Sequence, residues 1–201
     1  MEKINVGIFI FDEVEVLDFA GPFEVFAKTV VEEKEAFQVS LVSAEDKIVN
    51  ARYGFRVLPD VIFESEPAFD VLIVPGGLGA EVIEIKNEVT INWLKNQQEK
   101  VSILASVCTG ALLLAEAGIL DGKRATTHWM DVDRLEKEYP QVNVERDIRF
   151  IDEGHLLTSG GISAGIDMSL HIVERFFGKE TADTTAKKME YDRKYIIQSE
   201  V

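Results

Sequence analysis

Val101-Ser-Ile-Leu-Ala-Ser-Val-Cys108-Thr109-Gly110-Ala-Leu-Leu-Leu-Ala115 runs a strand-length apolar segment directly into helix formers, with one nucleophile at the junction. Ser106 stands two residues before the cysteine and Gly110 two after it. Small neighbours at those positions let a tight strand-to-helix turn hold the reactive side chain up without clashes, which is the steric logic of a nucleophile elbow, here with sulfur in place of a hydroxyl. Unpaired N–H groups and the dipole at a helix N-terminus favour an anion, so the segment predicts a lowered Cys108 pKa and a reactive thiol. A lone cysteine after a buried strand is otherwise a small hydrophobe. The elbow context favours the reactive thiol.

Outward from this junction, short strand-like runs alternate with longer helical ones. Ile4 to Phe11, Phe37 to Ser43, Val71 to Val74, Val101 to Val107 and Leu156 to Ser159 are rich in Val, Ile, Leu and Phe and bounded by charge, Gly or Pro. Val16 to Val31, Val89 to Glu99, Gly110 to Ala117 and Ala164 to Phe177 carry apolar residues three and four apart, as at Ile166, Leu170, Val173 and Phe177. The pattern predicts an α/β fold: a mostly parallel central sheet with helices on both faces, ligands binding beyond the carboxyl ends of the strands. Arg52 to Leu58 reads as an added strand around a turn at Tyr53-Gly54, and Ile148 to Thr158 as a hairpin turning at Asp152-Glu153-Gly154. After Gly178 a polar helix is expected, then an irregular end whose order from Lys194 is left open.

Four further stretches are candidates for the same predicted rim. Leu72-Ile-Val-Pro75-Gly76-Gly77-Leu78-Gly79 is a strand closing in a glycine turn; a backbone N–H at Gly77, with that of Thr109, would form an oxyanion-type hole worth ~3 kcal/mol per donor. It lacks the G-x-G-x-x-G spacing of a dinucleotide fingerprint. Asp18, set among Leu17, Phe19 and Ala20, is either a helix-terminus partner or, if it faces Cys108, a protonated acid hydrogen-bonded to the thiolate. His128 and Trp129 end Ala125-Thr-Thr-His-Trp, where the histidine is either a base or a pocket wall. Gly160-Gly161-Ile-Ser163-Ala-Gly165 opens a helix and can line the pocket, with Ser163 as an N-cap; His155 and His171 read as structural or solvated.

The 201 residues carry 21 Lys+Arg against 36 Asp+Glu, a net charge of −15, with no basic block to displace counterions from a phosphate backbone; nucleic acid is not an expected partner. A length in this range fits one domain, taken as 1–201. One cysteine excludes an internal disulfide, and with three histidines leaves too few soft ligands for a four-ligand zinc site. The first apolar run is far below a membrane span and is followed by no small-residue cleavage site, so a cytoplasmic, membrane-free protein is expected.

In order along the chain, Asp18-Phe-Ala-Gly-Pro22, Pro75-Gly-Gly77, Ser106-Val-Cys108-Thr109-Gly110, Ala125-Thr-Thr-His128-Trp129 and Thr158-Ser-Gly160-Gly161-Ile-Ser-Ala-Gly165-Ile-Asp167 resemble the ThiJ/PfpI family of the class I glutamine-amidotransferase-like superfamily, from Val6 to about Asp192. The resemblance implies a flavodoxin-like sandwich and a homodimer. Within the family the motifs look most like those of enzymes that add water to R–N≡C to give an N-substituted formamide. On that likeness the acid falls on Asp18, the nucleophile on Cys108, the threonine after it on Thr109 and the oxyanion-hole glycine on Gly77. His128, Trp129 and Gly161 are further pocket candidates, and the substrate is a small molecule needing no metal or organic cofactor. Family peptidases carry a histidine directly after the cysteine, where this chain has Thr109, so proteolysis is not expected. Glyoxalase and chaperone-like relatives have a glutamate in place of Asp18; they and a reversible oxidation sensor remain the alternatives. A branch fused to helix-turn-helix regions is not expected at this length.

Overall fold

The structure, a computed structural model, describes residues 2–193, so the end from Lys194 lies outside the described residues. The apolar runs and the hairpin become β1 (Ile4–Phe9), β2 (Phe37–Ser43), β4 (Val71–Val74), β5 (Ile103–Val107), β6 (Phe150–Asp152) and β7 (Leu156–Ser159), and a short strand not read from the sequence, β3 (Val61–Ile62), precedes β4. They form one sheet in the order β6-β7-β5-β4-β1-β2-β3. Each neighbouring pair is parallel except β6 and β7, the predicted hairpin, whose turn places Gly154 at φ 83°. Every residue of β4 and β5 is buried, as unbroken apolar strands require when both sheet faces are covered.

The cover comes from α1 (Val16–Lys28), α2 (Leu78–Val82), α3 (Glu88–Gln98), α4 (Gly110–Glu116), α5 (Val132–Glu138), α6 (Ala164–Phe177) and α7 (Lys179–Lys188). α1, α6 and α7 pack on one another, and α4 packs with α2 and α3. The inward stripe of α6 includes Ile166, Leu170 and Val173, at the spacing of one helical face. α7 is the polar helix expected after Gly178.

Three expectations needed correction. α1 stops at Lys28 rather than Val31, because the β-branched Thr29-Val30-Val31 resist the helix: Thr29 Oγ1 donates to Val25 O at 2.8 Å, and Val30–Val31 pair instead with Lys34–Glu35. Arg52 to Leu58 adds nothing to the main sheet. It makes a 3₁₀ turn at Arg52–Gly54 and a two-residue ribbon, Arg56–Val57 against Val49–Asn50. Arg124–Ala125 likewise pairs with Asn143–Val144 outside the main sheet.

The elbow is fixed by close approach of backbone to backbone. A Cβ on Gly110 would sit 2.0 Å from Val74 O, at the end of β4, so the first turn of α4 can rest there only without a side chain. Gly110→Ala is therefore expected to destabilise the protein by about 3 kcal/mol or more, since neither strand end nor helix can give way. Denaturant unfolding checks this; a loss below 1 kcal/mol would mean that the two elements slide apart freely. The carboxyl ends of β4, β5 and β7 and the segment after β1 thus meet at one rim, where the candidate residues lie.

Candidate active site

Cys108 sits at φ 57°, in the left-handed region that a non-glycine residue occupies at a cost. Surrounding bonds hold it there. Its N–H is shared between Ser159 O and Gly160 O, both at 3.2 Å, and its carbonyl accepts from Thr127 Oγ1 at 2.8 Å and Ala111 N at 3.3 Å. The sulfur is presented, as predicted, between β5 and α4.

Asp18 lies in the first turn of α1, fully buried, but it does not cap its own helix. Oδ2 accepts from Gly76 N–H and Oδ1 from Ile162 N–H, each at 3.1 Å, and the carboxyl lies near enough to Cys108 for each group to shift the other's ionisation. Asp18 is thus fixed by backbone 144 residues away at Ile162 and 58 away at Gly76.

The electrostatics reverse one expectation. Burial pushes the Cys108 thiol up rather than down, and the adjacent Asp18 charge pushes it further; Thr109 N–H and the Thr109 hydroxyl oppose them but do not prevail. The first turn of α4 does aim an N–H at the sulfur, yet a 7% exposed thiol beside a carboxyl loses more from desolvation than one donor returns. Asp18 is itself raised to about 7, chiefly by burial, with the Gly76 N–H, the thiol and the Ile162 N–H pulling it down and Glu15 pushing it up. Burial thus pushes both members of the pair toward their protonated forms, and their ionisation belongs to the pair rather than to either residue.

The glycine turn is also used differently from expectation. Gly77 N–H donates to Thr109 Oγ1 at 2.9 Å, so it is spent on orienting that hydroxyl rather than left open to a substrate. Both glycines are forced. A Cβ on Gly76 would lie 2.5 Å from Thr109 N, and Gly77 is at φ 124° with Glu13 O 2.5 Å from its Cβ position. Thr109 N–H favours the charged form of Cys108 against the upward push of burial.

His128 packs against Gly161. Its Nδ1 accepts from Met130 N–H at 3.4 Å and lies 3.8 Å from the Asp131 carboxylate, while its Cδ2 fills the space a Cβ on Gly161 would need, 2.1 Å away. Trp129, 77% exposed, and Gly161 line a cleft of about 370 Å³ with Thr127, Arg149 and Gly160. Ser163 makes no capping bond with its side chain; its Oγ instead accepts from Arg149 Nη2 at 3.3 Å. His155 and His171 face Ser102 O and Asp152 respectively, away from the thiol's partners.

Two residues at the site were not among the sequence candidates. Ile162, at φ 54°, presents the N–H that Asp18 accepts. Glu81, on α2, has its carboxyl pushed up by burial and by Asp131, with the Thr109 hydroxyl opposing them. The glycine-rich run around 160 hinted at the first; nothing local marks Glu81, which is one acid among 36. Among the described residues no group of three or more His, Cys, Asp or Glu is placed to hold a metal ion, and no helix is long and apolar enough to cross a membrane.

This chain is 35% identical to the isonitrile hydratase of Pseudomonas putida over 94% of its own length and 78% of that enzyme's. It is 28% identical to the HTH-type transcriptional regulator GbdR of Pseudomonas aeruginosa, again over 94% of this chain but only 51% of the regulator, so it spans about half of that relative. The crystal structure of a ThiJ/PfpI family protein from Pseudomonas syringae superposes with a TM-score of 0.86 at 23% identity, covering 99% of this chain and 79% of that one, which bears on the fold. The model of the DJ-1/PfpI family matches residues 4–175, and with the parallel sheet and the cysteine elbow this makes the chain a member of the DJ-1/PfpI family.

Proposed function

We propose that this protein is a cysteine-dependent isonitrile hydratase, converting small isonitriles to N-substituted formamides. The observation that carries the reading is a cysteine held at a left-handed elbow with the buried Asp18 carboxyl near enough for each to shift the other's ionisation. The likeness to the Pseudomonas putida enzyme supports the substrate class.

A neutral thiol beside a carboxylate is a poised nucleophile and base. Sulfur attacks the terminal isonitrile carbon while its proton passes to Asp18, which returns it to that carbon, giving R–N=CH–S–Cys108. Asp18, again ionised, then takes a proton from water as its oxygen adds to the same carbon. The C–S bond breaks, the sulfur regains a proton and nitrogen keeps the other, releasing R–NH–CHO. The sum is one water added and no net oxidation. Ion-like intermediates are avoided because one carboxyl carries each proton, and Thr109 N–H steadies the sulfur when it is charged.

A peroxide-sensing reading is less favoured by the same geometry. Oxidation needs thiolate, and burial beside an acid keeps this sulfur protonated at rest. A cytoplasmic homodimer belongs to the proposal as what the family resemblance implies.

The test is direct: purified protein is mixed with cyclohexyl isocyanide and, separately, with methylglyoxal. Formamide production dependent on Cys108 is expected with the first. Turnover of methylglyoxal alone would move the assignment to a glyoxalase-type enzyme.

A further inference from the structure

Away from the Cys108 rim, Glu84 is a buried carboxylate without a cation. It opens the 3₁₀ turn Glu84–Lys86 between α2 and α3 and is 9% exposed. Both of its hydrogen bonds reach one oxygen: Oε2 accepts from Thr90 Oγ1 and from Asn87 Nδ2, the latter at 3.1 Å. Among the described residues Oε1 has no hydrogen-bond partner, and no Lys, Arg or His nitrogen lies within 4.0 Å of either oxygen. Taking a carboxylate this far from water is costly unless a cation or further donors replace the water. Oε1 is nonetheless reachable, unlike the sealed side-chain atoms Trp93 Nε1, Gln97 Oε1 and Ser106 Oγ. Glu84 lines a cavity of about 210 Å³ where β1 and β2 end against the segment after α2.

We infer that this cavity is a binding site for a small primary ammonium ion, held by Glu84 Oε1 with its hydrocarbon stem against Phe11 and Ile83. The charges favour a cation. Three carboxylates line the cavity, those of Asp12, Glu45 and Glu84, against the single ammonium of Lys47. Lys47 is already engaged, 3.0 Å from Glu45 and 3.9 Å from Asp12, and makes no ion pair with Glu84. Asp12 also accepts from Asn50 N–H at 2.8 Å, so Glu84 is the carboxylate left without a counter-charge. Thr90 is fully buried, and Asn87 is itself fixed by accepting from Val89 N–H at 3.1 Å, so the two hold Oε2 and orient the carboxylate before any ligand arrives. With Oε2 spent, the forked donors of a guanidinium would find only one free oxygen, whereas a compact ammonium needs no more. A quaternary ammonium has no N–H to give it. Phe11 and Ile83 supply an apolar wall, the aromatic ring adding attraction for a cation.

Neither Cys108, Asp18 nor Thr109 lines this cavity, so the inference stands apart from the proposed function and its test reads binding alone. Titration calorimetry on the full chain uses phenethylamine as the probe. Two controls accompany it: phenethyl alcohol, which lacks the charge, and phenethyltrimethylammonium, which keeps the charge but has no N–H donor. Saturable one-to-one binding of phenethylamine is expected, with each control weaker by about tenfold or more. Glu84→Gln keeps an acceptor for Thr90 and Asn87 but removes the charge, and should weaken phenethylamine binding by about tenfold or more. Ile83→Trp, a change at a partly exposed residue that narrows the cavity, should weaken it likewise and carries the test if Glu84→Gln does not fold; thermal midpoints show which variants are folded. Absence of saturable binding up to about 10 mM phenethylamine overturns the inference, as does binding that the folded variants leave unchanged. Equal affinity for phenethyltrimethylammonium overturns it too, because recognition would then be by charge without donation to Oε1.

Discussion

Cys108→Ala is expected to reduce isonitrile hydration to the uncatalysed background, a loss of at least about 10⁴-fold, with the fold intact. The expectation follows from the division of labour at the site. Without the sulfur no covalent intermediate forms, and Asp18 alone would have to activate water against a carbon that is itself a poor electrophile. The bonds that hold the elbow are backbone bonds at residue 108, to Ser159 O, Gly160 O, Thr127 Oγ1 and Ala111 N, and alanine keeps all of them. Circular dichroism and the thermal midpoint should therefore change little while product formation disappears. An alanine variant with a tenth of the wild-type rate would remove the nucleophile from the mechanism.

The second large effect concerns Asp18. Asp18→Asn should lower kcat/KM by about 10³-fold, the scale of a lost general base, because asparagine can neither accept the thiol proton nor return it. In the wild type, kcat/KM should fall tenfold per pH unit below about 7, since the carboxyl must be ionised to take that proton. Stability carries the same signature with its own sign. The folded pKa of Asp18 is raised from 3.8 to about 7, so the native state holds a proton that the unfolded chain releases in this window. Stability due to Asp18 is complete below about pH 4 and lost as pH rises to about 7; the unfolding free energy of Asp18→Asn should gain on that of the wild type by ~4 kcal/mol across that window. Urea unfolding at stepped pH measures the difference, and a pH-independent gap would mean that Asp18 is already ionised at pH 4.

What the sequence made legible follows the range of the forces involved. The elbow was readable because the strand, the nucleophile and the small residues around it are contiguous, from Val101 to Ala115. The pairing of Asp18 with Cys108 could be posed but not decided, since it depends on how β1 and β5 end in space. The direction of the thiol shift was misread for a related reason: the helix terminus is local and visible in the sequence, whereas burial and the Asp18 charge are tertiary and outweigh it. Gly77 N–H was assigned to a substrate because its hydrogen-bond partner, Thr109 Oγ1, is 32 residues away. Glu81 left no trace at all, as an acid in a short amphipathic stretch is ordinarily just a solvated side chain.

The main sheet ends on one side in β3, two residues long, and on the other in β6, three residues long. Edge strands so short offer an intruding chain few groups of their own to template upon, and a net charge of −15 disfavours edge-to-edge stacking of many copies. A concentrated solution of this protein should accordingly resist cross-β aggregation without needing any helper to shield its borders.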